Sequence, residues 1–216
     1  VFLVRLKIQP AKQLLMRLPQ QRLVLKISRH KTSQLIVFPS LKRTATYSLI
    51  AVICGAYLVQ LLVPSLQQQL FLPSIDYLSA TNEWYRLVTV ALTHGGLLHL
   101  GFNMYALLVL GNPIEEAFGK NKFLVIFFAS LLTGSLTSTY FASLYSATVG
   151  ASGAIFGLFG AMMVVGKRIG ADIRSTVVII GLNFVFGFAL GGVDWRAHLG
   201  GLIGGYITAQ LVLNKR

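Results

Sequence analysis

The sequence predicts an all-α membrane protein, a bundle of six transmembrane helices, and three observations predict it. Of 216 residues, 55% are hydrophobic and 12% charged, with a mean hydropathy of +0.69; an average soluble domain carries roughly 25% charged residues. Six apolar runs lie between residues 46 and 213, and a helix needs about 20 such residues to cross a bilayer. Lys and Arg gather on one side of those runs, as they do on the inner side of membrane proteins.

Residues 1–43 form a basic cytoplasmic N-terminal arm ahead of a helical domain of residues 44–216. The arm holds ten of the 19 Lys and Arg and no acid, interleaved with Leu, Val and Ile. It reads as a segment lying on anionic lipid; a tail without structure or a small separate fold is the alternative. It lacks the clear apolar centre of a signal peptide, while a transit peptide stays open. The net charge of +13 does not point to nucleic acid, because the basic residues sit in this arm and in short loops between apolar runs. Cys54 is the only cysteine, which excludes an internal disulfide and reads as packing.

The runs cover 46–63, 97–111, 123–141, 152–165, 176–190 and 198–213, and each is a helix because a backbone in hydrocarbon must satisfy its own hydrogen bonds. The connection 64–93, with Trp84 and Tyr85, reads as an aromatic-rich interface loop. The second and fourth runs are short and open on polar residues, which extends those helices towards water. Beyond the arm, Lys120, Lys122, Lys167, Arg168, Arg174, Lys215 and Arg216 fall on the arm's side, and only Arg86 and Arg196 on the other. Both termini are therefore expected inside, in a bacterial cell membrane, with the mitochondrial inner membrane open as an alternative. His99 and Asn103, Ser152, and His198 then open helices two, four and six at one depth on the outer side.

A serine hydroxyl is a weak nucleophile until a base takes its proton, and histidine, titrating near neutrality, is the usual base. Ser152 stands in Gly150-Ala151-Ser152-Gly153, and His198 opens the sixth run. Alone, a membrane serine reads as a small residue at a helix contact; a histidine at the same depth favours nucleophile and base. Gly153, Gly157 and Gly160 on the fourth helix, and Gly200, Gly201, Gly204 and Gly205 on the sixth, allow the close approach that two short side chains need. Gly201 and Gly205 share a face with His198, three and seven residues on. His99 and Asn103, four apart, share a face of the second helix, and together with the Ser152 N–H can stabilise an oxyanion; an interhelical hydrogen bond is the alternative for Asn103. His94 stays open between site and packing. A metal centre built on the three histidines is disfavoured because no acid lies inside an apolar run, which also disfavours a Ser-His-Asp triad and leaves a dyad with no cofactor.

Gly150-Ala151-Ser152-Gly153, His94 with His99 and Asn103, Glu83-Trp84-Tyr85-Arg86, and Ala197-His198 with Gly201 and Gly204 together resemble the signature of the rhomboid intramembrane serine proteases. The likeness spans residues 83–205. It implies a six-helix rhomboid-like bundle with Ser152 as nucleophile, His198 as base, and His99 and Asn103 as oxyanion donors, acting on transmembrane protein substrates. It further implies a structural role for Arg86 in an interface loop, a bracing role for Glu115 after the second helix, and a ring stack of Phe156 on His198, where several members carry tyrosine. The rival reading is a non-catalytic rhomboid-like protein that binds transmembrane clients, which has no need to keep Ser152, His198, His99 and Asn103 together.

Overall fold

The structure, a computed structural model, describes residues 24–25, 36–37, 45–143, 146–169, 173–190 and 193–214. The chain divides into two units, Val1–Lys42 and Arg43–Arg216. In the first, β1 (Val24–Leu25) pairs antiparallel with β2 (Ile36–Val37); the rest of the predicted basic arm lies outside the described residues.

The second unit is helical: α1 (Ala45–Leu62), α2 (Ser65–Leu70), α3 (Ile75–Thr81), α4 (Arg86–Thr89) followed by a 3₁₀ turn, α5 (Leu97–Phe118), α6 (Lys120–Phe141), α7 (Ser152–Ile169), α8 (Arg174–Leu190) and α9 (Trp195–Asn214). Among the described residues, α1, α5 and α6 are long and apolar enough to cross a membrane. Leucine and valine line the exposed side of α1, with Val52, Leu58, Leu61 and Leu62 each more than half exposed, as a lipid-facing surface requires. This is an integral membrane protein.

Helix α7 runs through the middle. From Gly153 to Ala161 every residue is buried, and a helix apolar on all sides belongs inside. Glycine sets how closely its neighbours come. A Cβ at Gly201 or Gly205 of α9 would be driven into the backbone of Gly153 or Gly157, so α7 and α9 touch main chain to main chain. Gly200 and Gly204 face the other way, against Thr137 and Thr133 of α6. The stripes on α9 thus serve two partners, one of which the sequence reading omitted.

Two elements differ from the sequence reading. The second helix does not stop at Gly111 but continues to Phe118 through Pro113, so Glu115 and Glu116 lie inside a helix rather than in a connection. Ile114 and Phe118 are buried there, and Glu115 is held by the start of α1: its Oε1 accepts from Ala45 N at 2.7 Å, and its Oε2 from Thr46 N at 2.9 Å and Thr46 Oγ1 at 2.8 Å. A carboxylate on unsatisfied first-turn amides is favourable, and these contacts outweigh the hydrogen bond that proline removes. The connection 64–93, read as a loop, coils into short helices around Arg86, which is 4% exposed. Arg86 donates to Glu83 at 2.6 Å and to the Gln68 and Phe71 carbonyls at 2.9 and 3.0 Å.

Candidate active site

Ser152 opens α7, half-buried, where the first-turn N–H groups of a helix have no acceptor within it. The turn before it needs Gly150, whose φ of +110° disfavours any side chain and whose added Cβ would lie 2.9 Å from His99 Nε2. That turn is pinned from two sides. Gly150 N donates to Val90 O at 3.0 Å, and Thr148 and Leu72 exchange backbone hydrogen bonds of 2.9 Å each. A cavity of about 10 Å³ lies against the turn, lined by Ser135, Thr148, Gly150 and Ser152 among others; it has room for about one water molecule.

His198 is 5% exposed, in the first turn of α9. Its ring stacks on Phe156 with centroids 3.9 Å apart and planes 11° from parallel, and Phe184 of α8 meets both rings edge-on. Phe156 follows Ser152 by four residues, so both project from one side of α7. The stack therefore holds the imidazole one turn from the serine. Offset aromatic stacking needs the face of the ring and no hydroxyl. Nδ1 of His198 is buried without a partner among the described residues.

His99 and Asn103 line the same end of α5. Gly95 N donates to His99 Nδ1 at 3.4 Å, which leaves the proton of a neutral imidazole on Nε2, the nitrogen turned to the Gly150 turn. Asn103 spends one N–H on the His99 carbonyl at 2.9 Å and keeps a second; it is 6% exposed, and its Oδ1 has no partner among the described residues.

His94 stands behind them. It is fully buried, both ring nitrogens lack a partner among the described residues, and its ring meets Tyr57 and His99 edge-on at 6.5 and 5.1 Å. Burial first, then the nearby His99, lowers it to about 4, so it is neutral at physiological pH. Gln60 of α1 grips its main chain, donating to His94 O at 2.8 Å and accepting from His94 N at 3.1 Å. His94 is thus a buried backstop to His99.

Arg86 and Glu115 are engaged elsewhere, in the 64–93 connection and at the α1–α5 contact described above. Sequence reasoning missed Gly134 of α6, whose added Cβ would lie 2.8 Å from Ala197 O and 3.3 Å from Gly153 Cα. The spacing of Ser130, Gly134 and Ser138, small residues at every fourth position, carried that signal. It also passed over Asp194, whose Oδ1 accepts from Arg196 N at 3.1 Å and Ala197 N at 3.3 Å and caps α9. Among the described residues no three His, Cys, Asp or Glu side chains are grouped to hold a metal.

The Rhomboid domain family profile matches residues 81–215, more than half of the chain. The chain is 38% identical over 199 residues to Rhomboid protease GluP of Bacillus subtilis (strain 168), covering 87% of this chain and 38% of that protein. It is 31% identical over 174 residues to Rhomboid protease AarA of Providencia stuartii, covering 67% and 62%. To RHOMBOID-like protein 6, mitochondrial, of Arabidopsis thaliana it is 35% identical over 139 residues, covering 61% and 45%. The chain spans less than two thirds of the length of each of these relatives.

Proposed function

The chain belongs to the rhomboid family, and from that premise we propose that it is an intramembrane serine endopeptidase, cutting peptide bonds in or near transmembrane segments of other membrane proteins. The observation that carries this reading is the 3.9 Å stack of His198 on Phe156, one turn from Ser152. A base on α9 fixed against α7 at that place suits a dyad, whereas a binding protein has no use for it.

In the proposed reaction His198 takes the hydroxyl proton as Ser152 Oγ bonds to the carbonyl carbon of the scissile peptide. The oxyanion that forms accepts hydrogen bonds from the Ser152 N–H, His99 Nε2–H and the free Asn103 N–H, at the positive end of α7. Collapse breaks the carbon–nitrogen bond, and the imidazolium protonates the departing amine. Water, deprotonated by His198, then attacks the acyl-enzyme, releasing the new carboxyl end and restoring the serine. No metal or cofactor enters. The reading leaves Asp194 out of a triad: its carboxylate oxygens accept from amides and hydroxyls, and among the described residues His198 Nδ1 has no partner.

The reading takes α1, α5, α6, α7, α8 and α9 as six spans, with both termini cytoplasmic in a bacterial cell membrane and the basic arm on anionic lipid. The excess of Lys and Arg on one side supports that orientation. The test is labelling by a fluorophosphonate probe in detergent, beside cleavage of a model transmembrane substrate. Parent protein labels at Ser152 and cleaves, while Ser152→Ala does neither. Parent protein that folds yet neither labels nor cleaves returns the chain to the non-catalytic, client-binding reading.

A further inference from the structure

We propose that Asp194 is a positioning residue that locks the loop carrying the nucleophile to the helix carrying the base. The inference rests on the serine-protease reading of the site. The Asp194 side chain is 16% exposed, and its two oxygens divide the task. Oδ1 caps α9 at Arg196 N and Ala197 N, and the Asp194 carbonyl accepts from His198 N at 3.2 Å. Oδ2 accepts from Ser138 of α6 and, at 2.7 Å, from Thr148 Oγ1. Thr148 lies four residues before Ser152, in the turn already pinned through Leu72 and Val90.

One carboxylate therefore joins α6, the pre-serine turn and the first turn of α9. Only an ionised carboxylate suits all of this, because it accepts at both oxygens and carries no proton to misdirect, and hydrogen bonds to an ionised acceptor are about twice as strong as neutral ones. Asp194 touches neither reacting group. It acts by holding the frame of both, and a displacement of about 1 Å in such a frame can cost on the order of 10² in rate.

Asp194→Asn separates capping from bridging. Asparagine caps helices as well as aspartate does, but its NH₂ replaces the oxygen on which Ser138 and Thr148 both donate. Probe labelling of Ser152 and substrate kcat should fall about tenfold or more, with KM near the parent's, and cooling should not restore them as it restores a variant that is merely unstable. Thr148→Val, which removes one arm and keeps the aspartate, should lower labelling in the same direction at near-parental Tm and add little to Asp194→Asn in the double variant. Parental labelling by Asp194→Asn, or by Thr148→Val if the asparagine variant does not fold, overturns the inference, as does full additivity of the two. Absence of labelling in the parent would instead defeat the protease reading on which the inference stands.

Discussion

Helices α8 and α9 both reach the candidate base, yet they are built on opposite plans. Helix α9 lies main chain to main chain against α7, with Gly201 and Gly205 where a single methyl would strike a carbonyl. Helix α8 has open space around Gly181 and leaves Val177, Val178, Ile179 and Leu182 exposed, touching the site through Phe184. The contrast teaches where geometry is stored. Backbone contact between glycines has no rotamers to relax, so the separation of the helices carrying Ser152 and His198 is fixed to fractions of an ångström. The apolar face of α8 is instead exposed, where its side chains tolerate change.

The largest effect expected from this contrast is at Gly205. Gly205→Val would push a branched side chain into the Gly157 backbone, lowering Tm and reducing labelling of Ser152 by more than about 10²-fold as the helices separate. Labelling and thermal denaturation of the purified variant check it, and parental values for both would break the comparison.

Asn103→Ala sharpens the contrast by separating chemistry from packing inside the tight region. Loss of one oxyanion donor costs about 10²–10³ in kcat, and the Tm should move little because, among the described residues, the Asn103 side chain bonds within its own helix. Kinetics with normal turnover and a collapsed Tm would make Asn103 structural.

Glu115→Ala tests a tight contact away from the chemistry. It strands two amides and a hydroxyl at the buried start of α1, at a cost of about 1–3 kcal/mol for each donor left unpaired, while folded protein should label at close to the parental rate. Chemical denaturation measures the first, labelling the second. The smallest effect belongs to Gly181→Val, whose added atoms meet nothing within 4 Å; its labelling should match the parent's, and a large loss would show that α8 is packed as closely as α9.

What the sequence disclosed follows the range of the interactions involved. The long helices were legible because apolar runs of that length form helices, α1, α5 and α6 among them long and apolar enough to cross a membrane, and the histidines, Ser152 and Asn103 stood out as polar residues near helix starts. Helices α2 to α4 were not legible, since the Gln67-Gln68-Gln69 stretch has no apolar period and its fold depends on Arg86, distant in sequence, binding its carbonyls. The run of α5 past Pro113 was hidden for the same reason, because its last turns are held by amides about seventy residues earlier in the chain. Asp194 looked like an ordinary connection residue until its four donors, drawn from three segments, were brought together.

The most direct test of the claim that glycine contact sets the catalytic geometry is a pair of single-methyl substitutions, Gly201→Ala and Gly181→Ala, labelled with fluorophosphonate in one detergent beside the parent. Alanine is favoured over glycine in helices by up to about 1 kcal/mol, so propensity favours both variants and only contact distinguishes them. At Gly201, three residues after His198, the methyl meets the carbonyl of Gly153, the residue next to Ser152. The predicted result is a fall in labelling of about 10²-fold for Gly201→Ala, with Gly181→Ala at the parental rate and an equal or higher Tm. Equal labelling of all three proteins would contradict the account.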